Sequence, residues 1–358
     1  MNVLICGSRG VPPQYGGFES LAQGLATHLP AHGLKVFVTG FKQEVTEPIL
    51  REEFGVVSYQ VHARGPHFLQ NVLSTWIATK DLDREYHFDA VLVLNDVNYF
   101  LARKYWNMSS HVLLHLDGSE AKRSGLSIIG KLAHWLFRFL SIKSKIPLVV
   151  DSWAIKNELD PDSRKINVIS YAPHLDAPIK PHFEGIEIMS GEFLFVIARF
   201  VPENQIIEIM KAYMLSGRTE KMMIVGLGTG KKKYSKQILK IAEKKNSIYI
   251  LPKNYKRAEI NWLLQNAKAY IHGHSVGGTN PILIDARLHS QLILSHDNRY
   301  NKENASSKEF NWVDTDSLSL LLRRIEALTI DAKATEGYHL DSWESIANQY
   351  LKLLSDRT

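Results

Sequence analysis

The chain opens on an apolar run, Asn2 to Gly7 (NVLICG), without the in–out alternation of a half-exposed strand. Such a run ending in glycine predicts a central strand of a parallel sheet. A loop rich in glycine and proline follows, Ser8 to Gly17 (SRGVPPQYGG), then a helical stripe from about Phe18 to Leu29 and a second strand, Lys35 to Thr39. Strand, loop, helix and strand in this order predict a Rossmann-like unit. Val56 to Val61, Ala90 to Leu94, His111 to Leu116, Pro147 to Val150 and Ile166 to Ser170 supply the remaining strands of a first domain, residues 1–175. Tyr171 to Gly191 is proline-bearing and has little periodicity, which predicts a linker. The alternation resumes at Phe193 to Ile197 and continues through Met222 to Val225, Ser247 to Leu251, Ala269 to Ile271 and Leu292 to Leu294. A second domain is therefore expected over residues 190–340. The tail, residues 341–358, begins with an Asp or Ser cap and carries an apolar stripe at Trp343, Ile346, Tyr350 and Leu353, which predicts a closing helix. The fold class is α/β, with two doubly wound parallel-sheet domains whose ligands should lie beyond the carboxyl ends of the strands.

Composition narrows the picture. At 358 residues the chain exceeds one comfortable core, and 45% hydrophobic with 22% charged residues is a globular composition. The single Cys6 leaves no internal disulfide and fits a reducing compartment. Neither a signal-peptide order nor an apolar run long enough to span a bilayer is present, so an intracellular, cytoplasmic protein is expected. Lys plus Arg number 43 against 37 Asp plus Glu. That excess suits an anionic membrane surface or a phosphorylated substrate; zinc-finger spacing, an RNA-recognition signature and a long basic arm are all missing, so nucleic acid is not expected.

Two loops could hold a phosphorylated ligand. The first places Gly10, Gly16 and Gly17 ahead of a helix, where backbone amides and the helix N-terminus favour an anion, although simple turn chemistry explains a Gly-Gly equally. It is not the G-x-G-x-x-G fingerprint of a dinucleotide enzyme. The second, His272 to Asp285 (HGHSVGGTNPILID), is denser: two histidines, Ser275, Gly277, Gly278, Thr279 and Asn280 precede Pro281 at a helix start. Its histidines lack a carboxylate or cysteine partner at ligand spacing, so no metal is expected.

Four blocks in order carry a resemblance: Ser8-Arg9-Gly10-Val11-Pro12 with Tyr15-Gly16-Gly17-Phe18-Glu19; Asp117-Gly118-Ser119-Glu120 with Lys122-Arg123; Ala198 to Asn204 (ARFVPEN); and His272 to Pro281. They resemble glycosyltransferase family 4, of GT-B fold, and within it a bacterial rhamnosyltransferase-like branch. The resemblance implies a central cleft, a closing helix that crosses back to the first domain, and a retaining, metal-independent transferase. The donor would be a nucleoside diphosphate sugar, with dTDP-rhamnose and UDP-sugars both open; no cofactor is implied. The acceptor would be a glycan, lipid-linked, in surface-polysaccharide synthesis at the inner face of the cytoplasmic membrane. It implies catalytic roles at Asp117, Glu120 and Arg199, and donor contacts at Gly16, Gly17, Arg199, Glu203, Asn204, His274, Gly277, Gly278, Thr279, Asn280 and Asp285. Tyr15, Glu19, Lys122 and Arg123 would lie on the acceptor side.

The chain departs from the branch at three places. Asn204 stands where relatives have a diphosphate-binding lysine, leaving Arg9, Lys253 or Lys256 to supply the charge. Asp285 replaces the ribose-binding glutamate, and Arg287 begins a divergence from the usual Ala-Met-Gly-Ala-Gly. A non-catalytic nucleotide-sugar-binding scaffold and a nucleotide-sugar epimerase are the competing readings. Finally, Leu126 to Lys145 mixes Trp135, Phe137 and Phe139 with Lys131, Arg138, Lys143 and Lys145. A helix of this make-up suits either a membrane surface or a core position with a basic outer face.

Overall fold

The computed structural model describes residues 1–12, 16–65, 69–108, 110–116, 118, 128–226, 232–251, 256–328 and 340–355, with the backbone alone at 128 and 129. The chain divides into two compact units, one running to Tyr171 and resuming at Asp341, the other from Ala172 to Leu340.

The first unit begins β1 (Asn2–Cys6), α1 (Gly17–His28), β2 (Lys35–Lys42), β3 (Ile49–Glu53), β4 (Val56–His62), α2 (Gln70–Leu82) and β5 (Ala90–Leu94). It continues with α3 (Tyr99–Asn107), β6 (His111–His115), α4 (Ile128–Lys143), β7 (Leu148–Val150), α5 (Trp153–Leu159) and β8 (Ile166–Val168). The sheet order is β3-β4-β2-β1-β5-β6-β7-β8. The β3–β4 pair is antiparallel, whereas β1 pairs in parallel with both β2 and β5. The apolar runs of β1 and β5 are the buried centre, as their lack of alternation predicts. β3 was not foreseen: it is exposed along its whole length, and Ile-Leu-Arg-Glu-Glu carries no period-two signal.

The second unit comprises β9 (Phe193–Ala198), α6 (Ile206–Ser216), β10 (Lys221–Gly226), α7 (Lys232–Ala242), β11 (Ile248–Leu251) and α8 (Arg257–Asn266). β12 (Ala269–His272), α9 (Pro281–His289), β13 (Ile293–His296), α10 (Arg299–Lys302), β14 (Glu309–Trp312) and α11 (Thr315–Arg323) follow. Its parallel sheet has the order β11-β10-β9-β12-β13-β14. Successive residues of β9 serve opposite cores. Leu194 and Val196 face Ile209, Tyr213 and Leu318 of α6 and α11, while Phe193 and Phe195 face Leu263 and Leu283 of α8 and α9.

The segment expected as a linker belongs to this second unit. Phe183 and Ile188 are buried in the core under α8, the Ile179 amide donates to Ala258 O (3.0 Å), and the Gly191 amide donates to Asn266 O (2.8 Å). Two apolar anchors among prolines leave no helical or strand period, so burial here is invisible to pattern reading.

The closing helix α12 (Trp343–Ser355) is part of the first unit. Its buried stripe is Trp343, Ile346, Ala347, Tyr350 and Leu354, so the face ends on Leu354 rather than Leu353, four residues after Tyr350. The Tyr350 ring stacks on His115 of β6 at 6.5 Å between centroids. Trp343 lies over Gly24 of α1, where an added Cβ would fall 2.1 Å from ring atom Cε3. In an ordinary helix interior Gly→Ala stabilises by roughly 0.5–1 kcal/mol. Here the sign should reverse: Gly24→Ala is expected to lower the unfolding free energy by about 1–3 kcal/mol through overpacking, read from urea unfolding curves. A variant as stable as wild type would show that α12 is not seated on this glycine.

Candidate functional site

In the second unit the strand order reverses between β9 and β12, and such a switch point opens a crevice at the carboxyl ends of the strands. Two loops meet there, one after β9 and one after β12. Gly273 permits the approach, because a Cβ on it would lie 2.3 Å from the Asn204 carbonyl oxygen. The loops are then tied: Ser275 donates from its amide and its hydroxyl to Glu203 O (2.9 Å each), and His274 Nδ1 lies 3.0 Å from Asn204 Oδ1. Asn204 Nδ2 donates back to Arg199 O at 2.8 Å. Asn298 and Asn301 both donate to His274 O, which holds the loop from its other side. Gly277 and Gly278 are buried, Gly277 at φ 115, a backbone conformation that favours glycine. Asn280 caps α9, its side-chain oxygen accepting from the Ile282 amide (3.0 Å), with Pro281 in the first turn.

Arg199, Glu203, Asn204, His274, Gly277, Gly278, Thr279 and Asn280 therefore come together as one constellation. Arg199, Glu203, His274, Thr279 and Asn280 are half-buried around it. Asn204 is not an open substitute for a lysine, since its amide is buried and bonded on both ends. Lys256 is exposed at the start of α8, where its amide donates to the Glu259 carboxylate.

Asp285, expected as the ribose acceptor, is wholly buried within the second unit instead. Its Oδ1 accepts from the His174 amide (2.8 Å) and lies 3.1 Å from His174 Nδ1, while Oδ2 pairs with Arg257 Nη1 at 2.9 Å. Burial alone would push this carboxyl up; the His174 hydrogen bond and the Arg257 charge outweigh it and hold it below its usual range. Arg287 is a structural substitution of the same kind. It is 3% exposed, pairs through Nε with Glu309 Oε1 at 2.6 Å, and donates to the carbonyls of Asn301 and Glu303. His174 and Arg257 were missed because neither lies in a loop motif; only the spacing of the fold brings them to Asp285. His272 is buried beside the constellation and shares a hydrogen bond with Tyr270 Oη (2.8 Å). Burial first, then the neighbouring His274, Arg287 and His296, push its ring well below the ordinary imidazole value.

In the first unit the order reverses between β1 and β5. Gly7, at φ 97, closes the approach there, since a Cβ would fall 2.1 Å from Leu94 O. Gly16 and Gly17 open α1 as expected, but Glu19 folds back onto the helix start. Its Oε1 accepts from the Arg9 amide (3.1 Å) and its Oε2 would lie 2.2 Å from a Cβ on Gly16. The chain's own carboxylate thus meets the positive end of α1. A Cβ on Gly17 would press on Tyr171 Oη at 2.9 Å. Tyr15, Asp117, Glu120, Lys122, Arg123 and Lys253 lie outside the described residues. A cluster that went unforeseen sits after β5: the buried Asp96 receives His134 Nδ1 and Arg138 Nε, each at 3.0 Å, and Arg138 Nη2 donates to Gly118 O at 2.9 Å. The i, i+4 spacing of His134 and Arg138 was its only sequence signal.

No family model matches the chain, and no curated protein sequence does. Solved structures do. A sucrose-phosphate synthase from Thermosynechococcus elongatus superposes with a TM-score of 0.82 at 14% identity over 98% of each chain. The fold is GT-B. A trehalose-6-phosphate protein from E. coli bound with UDP-2-fluoro glucose shares this GT-B fold, with TM-score 0.73, 10% identity and all of both chains covered. So does a UDP-forming trehalose-phosphate synthase from Burkholderia xenovorans in complex with glucose-6-phosphate, at 0.68, 10% identity, 99% of each chain.

Two outcomes follow from the buried charges. Asp285→Ala should cost about 3 kcal/mol of stability with no ligand present, near the low end for breaking a buried pair because Arg257 can rehydrate; denaturant unfolding measures it, and an unchanged midpoint would reject the structural role. The folded state keeps His272 neutral, whereas the unfolded chain takes up a proton near pH 6.5. Its contribution is therefore complete above that pH and is lost as pH falls, by up to about 1.4 kcal/mol per pH unit until the folded ring titrates. Urea unfolding at a series of pH values should show this slope, flattened in His272→Gln.

Proposed function

We propose that the chain is a glycosyltransferase that takes its sugar from a nucleoside diphosphate donor held at the switch point of the second unit. The observation that carries this reading is the clamped pair of loops, Arg199–Asn204 and His272–Asn280, at the carboxyl ends of β9 and β12. GT-B structures described with UDP-2-fluoro glucose and with glucose-6-phosphate support the same chemistry. The departing diphosphate develops charge, and the Arg199 guanidinium with the amides of Gly277, Gly278 and Thr279 at the start of α9 would meet it. In the retaining course the acceptor oxygen bonds to the anomeric carbon from the face the diphosphate leaves. A phosphate oxygen takes the acceptor's proton, so neither an enzymic nucleophile nor a metal is needed. Within this reading we place the chain in the rhamnosyltransferase-like branch of family 4. There it would transfer to a lipid-linked saccharide in surface-polysaccharide assembly, at the inner face of a bacterial cytoplasmic membrane. Asp117 and Glu120 would orient the acceptor, and Tyr15, Lys122 and Arg123 would serve the acceptor as well.

One observation favours a second reading, a nucleotide-sugar-binding protein without turnover: Asn204 and Asp285 are both committed to internal bonds. Thermal unfolding with UDP-, GDP-, dTDP- and CMP-sugars, without metal, tests the proposal. A donor at 100 times its dissociation constant should add about 2.7 kcal/mol of stability, and Arg199→Ala should abolish the shift. Stabilisation without release of the nucleotide under any saccharide acceptor would favour the second reading; no shift with any donor would overturn the first.

A further inference from the structure

Helix α4 is inverted relative to an ordinary surface helix. Its polar edge, His134, Arg138 and Ser141, turns inward, the first two onto the buried Asp96. Its apolar arc, Leu132, Trp135, Leu136 and Phe139, faces outward with 63%, 61%, 45% and 46% of the surface exposed. These positions follow the i, i+3, i+4, i+7 spacing of a single face, and the Trp135 and Phe139 rings stack at 5.8 Å. Phe100 of α3, 54% exposed and edge-on to Phe137 at 5.6 Å, extends the patch. The arrangement is fixed rather than incidental. Rotating α4 to bury the apolar arc would strip a fully buried carboxylate of both its side-chain partners, the Arg138 guanidinium among them, at a cost of several kcal/mol.

Among the described residues, the exposed charge carried by these two helices has one sign. Lys131 and Lys143 on α4, the following Lys145, and Arg103 on α3 are all basic, and neither helix contains an Asp or Glu. Lys143 Nζ lies 6.0 Å from the Phe139 ring, at the edge of the apolar arc. Among the described residues no helix is long and apolar enough to cross a membrane. A single-sign rim around Trp, Phe and Leu is complementary to a surface that is apolar beneath and anionic above.

We propose that the α4 face docks on an anionic lipid bilayer, α4 lying in the interfacial plane with Leu132, Trp135, Leu136 and Phe139 inserted and Lys131, Lys143 and Lys145 at the headgroups. This rests on the membrane contact included in the proposed function and is independent of the reaction. The test is co-sedimentation of the full chain with phosphatidylglycerol-containing vesicles and with pure phosphatidylcholine vesicles. Wild-type protein should pellet with the anionic vesicles and be released as salt rises. Trp135→Glu/Phe139→Glu should weaken the association by roughly tenfold or more, and Lys143→Glu should weaken it less, while both variants keep the wild-type circular dichroism. Failure of wild-type protein to pellet, or equal pelleting of the double variant, would overturn the proposal. So would a dimer in sedimentation velocity that Trp135→Glu dissociates, since the occupant would then be a second copy. Donor-dependent stabilisation, measured on the same samples, separates the two readings: retained without vesicle binding it rejects docking alone, and lost with vesicle binding intact it rejects the transferase alone.

Discussion

At the carboxyl end of a central parallel strand the backbone either diverges from its neighbour or meets it, and a side chain decides which. Both units use glycine to let the backbones meet where the strand order reverses. Gly7 after β1 abuts the Leu94 carbonyl, and Gly273 after β12 abuts the Asn204 carbonyl, at distances that no Cβ could share. In the second unit the consequence is direct. Once Gly273 lets the loops approach, Ser275 reaches Glu203, His274 reaches Asn204, and Asn204 reaches Arg199. A crevice at a switch point is a generic property of such sheets; the hydrogen-bonded rigidity of this one follows from a single missing methyl group.

The three departures from the resembling branch acquire a shared explanation. Asn204, Asp285 and Arg287 read as drift in a donor loop, yet each is buried and each has partners. Asp285 joins α9 to α8 and to the segment after the first unit through Arg257 and His174; Arg287 joins α9 to β14 through Glu309. Buried charges of this kind contribute little net stability compared with a well-packed apolar core, but removing one partner is expensive. Such positions are therefore coupled, and a change at one costs stability unless its partner changes too. The altered residues of α9, Asp285 and Arg287, brace the second unit.

The same logic governs α4 in the first unit. Asp96 follows an apolar strand and has no exposure, so its charge must be met from within. His134 and Arg138 meet it, and by doing so they dictate the rotation of the whole helix. The apolar residues that composition alone assigns equally to a core or to a membrane surface are turned outward by a carboxylate some 40 positions away.

Periodicity and composition were enough for the α/β class, the two sheets, the glycine-bearing loops and the closing helix, because buried parallel strands and amphipathic helices leave their period in the chain. They were enough, too, to single out the His272–Pro281 segment, whose glycine, proline and capping residues act locally, whereas Ala198–Asn204 was singled out only by the family resemblance. The edge strand β3 and the packing of residues 172–191 under α8 were not legible, since neither depends on a repeating local pattern. Above all, sequence left the partners of the charged residues open. Whether Asp285 faces a ligand or Arg257, and whether Arg138 faces solvent or Asp96, depends on contacts between residues 28 and 42 positions apart. Local propensity sets where a helix forms; only tertiary packing, through the cost of burying an unpaired charge, sets which way it turns.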